Sequence, residues 1–283
     1  MASMPHLVRW QDELGPFGLV IVAPHAQKAT PEEIRTKARS VGVNFAVAES
    51  GRLENGNDFA GIPHCMLFDQ GGTCLYRGSP FSVESRLRSA VGSALVEGTG
   101  KTNFSKALTP LVESLKKGLS PATVLPKIVA LQKSPDTVTA EEAKYLVGKL
   151  TEEGQRQLDE AARAMRDDPV GTYELAHRVA SGCRGTPVAT KAARLQNELR
   201  NDKAVLAELR ARPALESIKT LDTVLTKKVG RNVDPQSAEF QLAFAVPLKQ
   251  MRATLQKMKK TWPEARATEE AAGIGEKYGI VAK

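Results

Sequence analysis

Apolar residues recur at helical spacing through most of this chain, and only its first hundred residues break that pattern with short continuous runs. Leu7, Trp10 and Leu14 fall at i, i+3 and i+7, which predicts a helix over 4–14 with Pro5 tolerated in its first turn. Gly15-Pro16 stops it. Gly18–Ala23 is uniformly apolar and predicts a strand buried on both faces. Thr30-Pro31-Glu32-Glu33 combines a capping residue, a proline and an acidic first turn, so a second helix is predicted to about Ser40. A short strand over Asn44–Ala48, a polar loop over Glu49–Ala60 and a helix over Ser82–Val96 complete the first third. From about Asn103 the pattern is helix after helix. Leu108, Leu111, Leu115 and Leu119 mark one, and 121–132 another with Pro126 inside it. A third starts at Thr139-Ala140-Glu141-Glu142 as a capping box, with Tyr145, Leu146 and Leu150 facing inward. Leu206–Leu225 predicts a helix interrupted at Pro213.

The stretch from Gly61 to Gly78 reads as strand, turn, strand. Met66–Phe68 and Cys74–Tyr76 are the arms, and Asp69-Gln70-Gly71-Gly72 is turn chemistry. With Gln70-Gly71 as a two-residue turn, Cys65 lies opposite Tyr76 and Leu67 opposite Cys74. Ile62-Pro63 opens the first arm, where a proline without an N–H is tolerated.

A glycine-apolar-proline start to a hairpin ending Tyr76-Arg77-Gly78, preceded by helix, strand, helix, strand and followed by a helix, resembles the closing part of a thioredoxin-like domain. It is most similar to TlpA-type thiol–disulfide oxidoreductases and the alkyl hydroperoxide reductase group, over about Met4–Val96. Met4-Pro5 resembles the Met-Pro that follows the Trp-Cys-x-x-Cys segment in that family. The resemblance implies a cis proline at Pro63. It also implies a peptide-binding edge at Ile62, Pro63 and His64, beside redox cysteines that would lie upstream of Met4. Ala2 and Ser3 cannot supply that chemistry, which needs a low-pKa thiolate and a resolving thiol. Two later stretches, Tyr173–Leu199 and Met251–Tyr278, each place a turn proline between two helices and weakly resemble tetratricopeptide-type hairpins.

The chain has 283 residues, enough for two cores. Its hydrophobic content of 41% and charged content of 25% are those of a globular protein. Net charge is +8, and Lys249, Arg252, Lys257, Lys259 and Lys260 cluster before Trp262. That cluster reads first as a solvated helix face. No aromatic residues are interleaved for stacking on single-stranded nucleic acid, so a nucleic-acid partner is not expected. No run reaches the ~18 apolar residues of a membrane span.

Three cysteines without a CxxC pair point to neither a zinc ribbon nor a disulfide framework. Cys65, two residues after Pro63, is the candidate for single-thiol chemistry; Cys74 reads as a small core residue and Cys183 lies beside Arg184. His6, His25, His64 and His177 show no metal-ligand spacing. Glu97–Thr102 resembles the end of a phosphate-binding loop, but Leu95 stands where its first glycine belongs, so it reads as linker.

These readings combine into an N-terminally incomplete α/β thioredoxin-like domain over 1–97, a linker over 98–105 and an all-helical domain over 106–283. The expected function is binding of a protein or peptide by a domain without the catalytic cysteine pair. The alternatives are an oxidoreductase whose CxxC segment lies upstream, and a single-thiol enzyme using Cys65. No cofactor or metal is expected. Read from Met1 without an export signal the chain is expected in the cytoplasm, and outside it if a leader and active-site segment precede.

Overall fold

The computed structural model describes residues 4–25, 29–48, 63–228 and 234–280. Helix accounts for 68% of it. Strands are confined to β1 (Val22–Pro24), β2 (Ala46–Ala48), β3 (Cys65–Phe68) and β4 (Cys74–Gly78). They form two separate two-stranded sheets, β1 with β2 and β3 with β4. The expectation of an α/β thioredoxin-like domain is therefore overturned. The molecule is mostly helical, and among the described residues no central sheet exists for helices to cover. The reason is visible in the apolar run at Gly18–Ala23. Only Val22–Pro24 reaches strand geometry, and Val20 and Val22 are 74% and 57% exposed rather than sandwiched. The apolar residues that are buried lie overwhelmingly on helices.

Two compact units share the chain discontinuously. One comprises Met1–Ala23, Asn44–Ala46 and Gly51–Glu198; the other comprises Pro24–Val43, Val47–Ser50 and Leu199–Lys283.

The first unit is built on α6 (Thr137–Ala164). Its inner stripe is Ala143, Leu146, Val147, Leu150, Gly154 and Leu158, a 3.6-residue repeat. Asp136, not Thr139, caps it, its carboxylate accepting from the Val138 and Thr139 N–H groups. Against α6 pack α5 (Pro121–Leu131), α7 (Pro169–Gly182) and the 3₁₀ turn Gly15–Phe17 that ends α1 (Met4–Leu14). Trp10 and Leu14 of α1 are buried as their spacing predicts. α3 (Glu84–Glu97) and α4 (Thr109–Lys116) cross at Gly92, where the backbones approach too closely for any side chain. α1 and α3 are joined by charge. The two terminal guanidinium nitrogens of Arg88 donate to the two Glu13 carboxylate oxygens at 2.7 Å, while Arg88 and Arg9 both donate to Glu84. α8 (Pro187–Leu199) follows α7.

Residues 98–105 lie inside this unit and are held to α6. The Tyr145 hydroxyl donates to the Thr99 carbonyl at 2.7 Å, and Glu142 accepts from the Lys101 ammonium and the Ser105 N–H.

In the second unit α9 (Lys203–Lys228), α11 (Ala245–Thr261) and α12 (Arg266–Glu276) pack on one another. Ile218, Leu225, Leu248, Met251, Leu255 and Met258 fill the space between them. α9 runs unbroken through Pro213, whose flanking Ala211 and Leu215 are buried in that core. α10 (Ala238–Ala243) precedes α11, separated only by Phe244. Phe240 stacks on Tyr278 with ring centroids 6.0 Å apart. α2 (Pro31–Ser40) has the capping box expected of Thr30 and Glu33 and packs on α12.

Candidate interaction surface

The β3–β4 hairpin carries Cys65 and Cys74, and Pro63 and His64 lead into it. Its register differs from the expected one: Cys65 faces Gly78, Leu67 faces Tyr76 and Phe68 faces Cys74, with a bulge between Leu67 and Phe68. The cause is the turn. The Asp69 carboxylate accepts from the Gly71 and Thr73 N–H groups, and the Gly72 N–H reaches the Asp69 carbonyl with Gly72 at φ +83°. This wider loop, which needs glycine at its left-handed position, and the bulge beside it shift the partners of Cys65 and Leu67 by two residues. The expected register would have made Cys65 and Cys74 diagonal neighbours; here Cys74 lies four residues from Gly78, the partner of Cys65, and both thiols are free.

Ile62 lies outside the described residues. Pro63 is exposed, and His64 and Cys65 are half-buried. Burial pushes the Cys65 thiol up, and pushes the fully buried Cys183 up to about 11. Neither has the lowered pKa of a nucleophilic thiol. The exposed Cys74 Sγ–H donates to the Tyr76 carbonyl at 3.4 Å. In the native protein Cys74 is expected to react first with a maleimide and Cys65 more slowly. Cys183 is expected to react only on unfolding. Mass spectrometry of the labelled peptides over time checks this order, and Cys183 labelling at the rate of Cys74 would contradict its burial.

In the second unit a cleft of about 330 Å³ lies between α2 and α12, lined by Glu32, Glu33, Lys37, Glu269, Ala272, Gly273 and Glu276. Most of its carboxylates are already engaged. Glu33 closes the capping box, and Glu32 and Glu269 pair with Arg35 and Arg39. Among the described residues no three His, Cys, Asp or Glu side chains gather to hold a metal ion.

The outer face of α10–α11 differs from both. Leu248, Met251, Leu255 and Met258 turn α11's inner face into the core, each at most 2% exposed. The opposite face begins with Val246, 69% exposed, and just before it, across the break at Phe244, Leu242 of α10 is 82% exposed. It continues through exposed Lys249, Ala253, Gln256, Lys257 and Lys260, with exposed Arg252 and Lys259 along one side. Between Ala245 and Thr261 there is no Asp or Glu. Lys249, Arg252, Lys257 and Lys260 make no ion pair among the described residues. The sequence showed this basic cluster; what it did not show is the aliphatic pair at its N-terminal end. Leu242 and Val246 fit a core stripe as well as a surface one until the break at Phe244 is known.

Comparison of the chain with protein-family models, with curated proteins and with solved structures returns no match. No helix of the described residues is long and apolar enough to cross a membrane.

Proposed function

We propose that this protein acts by binding another protein, and that the outer face of α10–α11 is its contact surface. The observation that carries this reading is the pair Leu242 and Val246. Large aliphatic side chains exposed singly are ordinary, but two this exposed within four residues of sequence, at the start of a charged stripe, give an anchor bordered by polar residues, the pattern of an interface. The helix behind them is fixed by a buried core, so the face is presented without reordering on binding.

A photo-crosslinking residue at Val246 tests the reading in the protein's native cell. One defined adduct is expected, and none from the same residue placed at the exposed Glu160 on α6. The partner, once purified, should lose at least about tenfold in affinity for the Leu242→Asp variant, the usual scale for an apolar anchor. No adduct at Val246, or unchanged affinity of the variant, overturns the proposal.

A further inference from the structure

The charge of the same face defines the chemistry of what it binds. Resting on the reading above, we propose that the partner element is an acidic amphipathic helix of another protein, laid along α11 with its apolar residues at Leu242 and Val246 and its carboxylates along the lysines.

Length and periodicity support this occupant. From Val246 to Lys260 the face runs about 21 Å at 1.5 Å per residue, the length of a partner helix of four turns. Val246, Lys249, Ala253, Lys257 and Lys260 succeed one another at spacings of three or four residues, so they form one straight row. Ala253 at its middle lets a second helix approach closely. Lys249, Arg252, Lys257 and Lys260, with no carboxylate on the helix, repel one another, and the acidic residues nearest in sequence, Glu239 and Glu264, stand outside its ends. A partner bearing three or four carboxylates relieves that repulsion while its leucines cover Leu242 and Val246.

Other polyanions use only part of the face. An anionic bilayer takes up the lysines, but insertion needs a broad apolar face, and that of α11 is buried in the core. A nucleic-acid backbone also takes up the lysines, but it leaves the aliphatic pair uncovered and finds no aromatic side chain on α11 to stack on.

The test is fluorescence anisotropy with a labelled 18-residue helical peptide that has leucine at i, i+3, i+4 spacing and glutamate elsewhere. Binding to the full chain is expected at 50 mM salt and should weaken at least about tenfold by 300 mM, as screening of exposed charges requires. The variant Lys249→Glu/Lys257→Glu/Lys260→Glu should weaken it by at least about tenfold at low salt. Leu242→Ser should weaken it about threefold to fivefold at every salt concentration, because its contribution is apolar. These side chains are exposed, so unchanged circular dichroism and melting confirm that each variant is folded. The proposal is overturned by no binding at 50 mM salt or by equal binding of the charge-reversal variant. It is also overturned if phosphatidylserine vesicles or a 20-base-pair DNA, at matched charge concentration, bind more tightly than the peptide and ignore Leu242→Ser. The charge-reversal variant separates this proposal from the one it rests on. A Val246 crosslink that survives it leaves the contact face standing and removes the acidic partner.

Discussion

Replacing Gly92 by alanine is expected to destabilise the first unit by about 3 kcal/mol, the upper end of the usual range for overpacking. A Cβ at this position would lie 1.8 Å from the Leu115 carbonyl oxygen and 2.5 Å from its carbonyl carbon. Both are backbone atoms, so no rotamer change relieves the clash. The α3 and α4 axes must separate, and the packing of Leu87, Val91, Val112 and Leu115 is lost with their contact. Alanine's better helix propensity returns only about 1 kcal/mol. Gly148 on α6 supplies the internal control. It is a helical glycine of the same unit, and a Cβ there meets nothing within 4 Å. Gly148→Ala is therefore expected to stabilise by about 0.5–1 kcal/mol through propensity and the unfolded chain's entropy. Chemical denaturation of the two variants, with hydrogen exchange at α3 and α4 amides, checks the opposite signs. A neutral Gly92→Ala would mean that the helices do not meet as closely as described.

The second large effect belongs to Arg88. Removing its side chain by Arg88→Ala leaves Glu13 without its bidentate partner and leaves Arg9 as the cation paired with Glu84. The Arg88 side chain is only 20% exposed and Glu13 28%, so solvent screens the pair partly and the expected cost is about 2–3 kcal/mol. The pH dependence identifies the cause. Arg88's hydrogen bonds hold the Glu13 carboxyl below its ordinary value. A carboxylate depressed in the folded state contributes stability that is fully present above the unfolded value of about 4.3 and disappears as pH falls through the folded value. Wild type should thus lose stability on that acid limb, and Arg88→Ala should lose less there because the Glu13 contribution is already gone. Parallel acid limbs in urea titrations from pH 6 to pH 2.5 would show that the pair adds nothing. Arg88→Lys keeps the charge but not the two-pronged geometry and should recover only part of the loss.

The helices were the legible part of this chain. Thr30 and Glu33, Trp10 and Leu14, and Leu146 and Leu150 each act over one or two turns, and local spacing names them correctly, whereas Tyr145, expected to face inward with the last two, is 43% exposed. Asp136 is not distinguished as the cap in the sequence because Thr139 and Glu142 make an equally good local pattern; Glu142 is instead occupied by Lys101 and the Ser105 N–H. Strands were less legible because a sheet depends on partners far away in sequence. Gly18–Ala23 has the composition of a buried strand, yet most of it pairs with nothing and Val20 lies in solvent. In the hairpin the Asp69 side chain takes the turn's N–H groups and the partners of Cys65 and Leu67 move by two residues, an outcome the glycines alone leave open. Pro213 shows the reverse error: a residue that ends helices locally is carried through α9 by the core around it.

The position of α2 has a consequence for how the protein is made. It packs on α12, yet about 225 residues separate the end of one from the start of the other. At roughly 5–20 residues per second the ribosome takes about 11–45 s to cover that distance. Throughout that interval Ile34, buried in the finished protein, has no α12 to cover it. The second unit cannot close until α12 has been synthesised, and a protease cut after Glu198 would separate a core from one of its own helices.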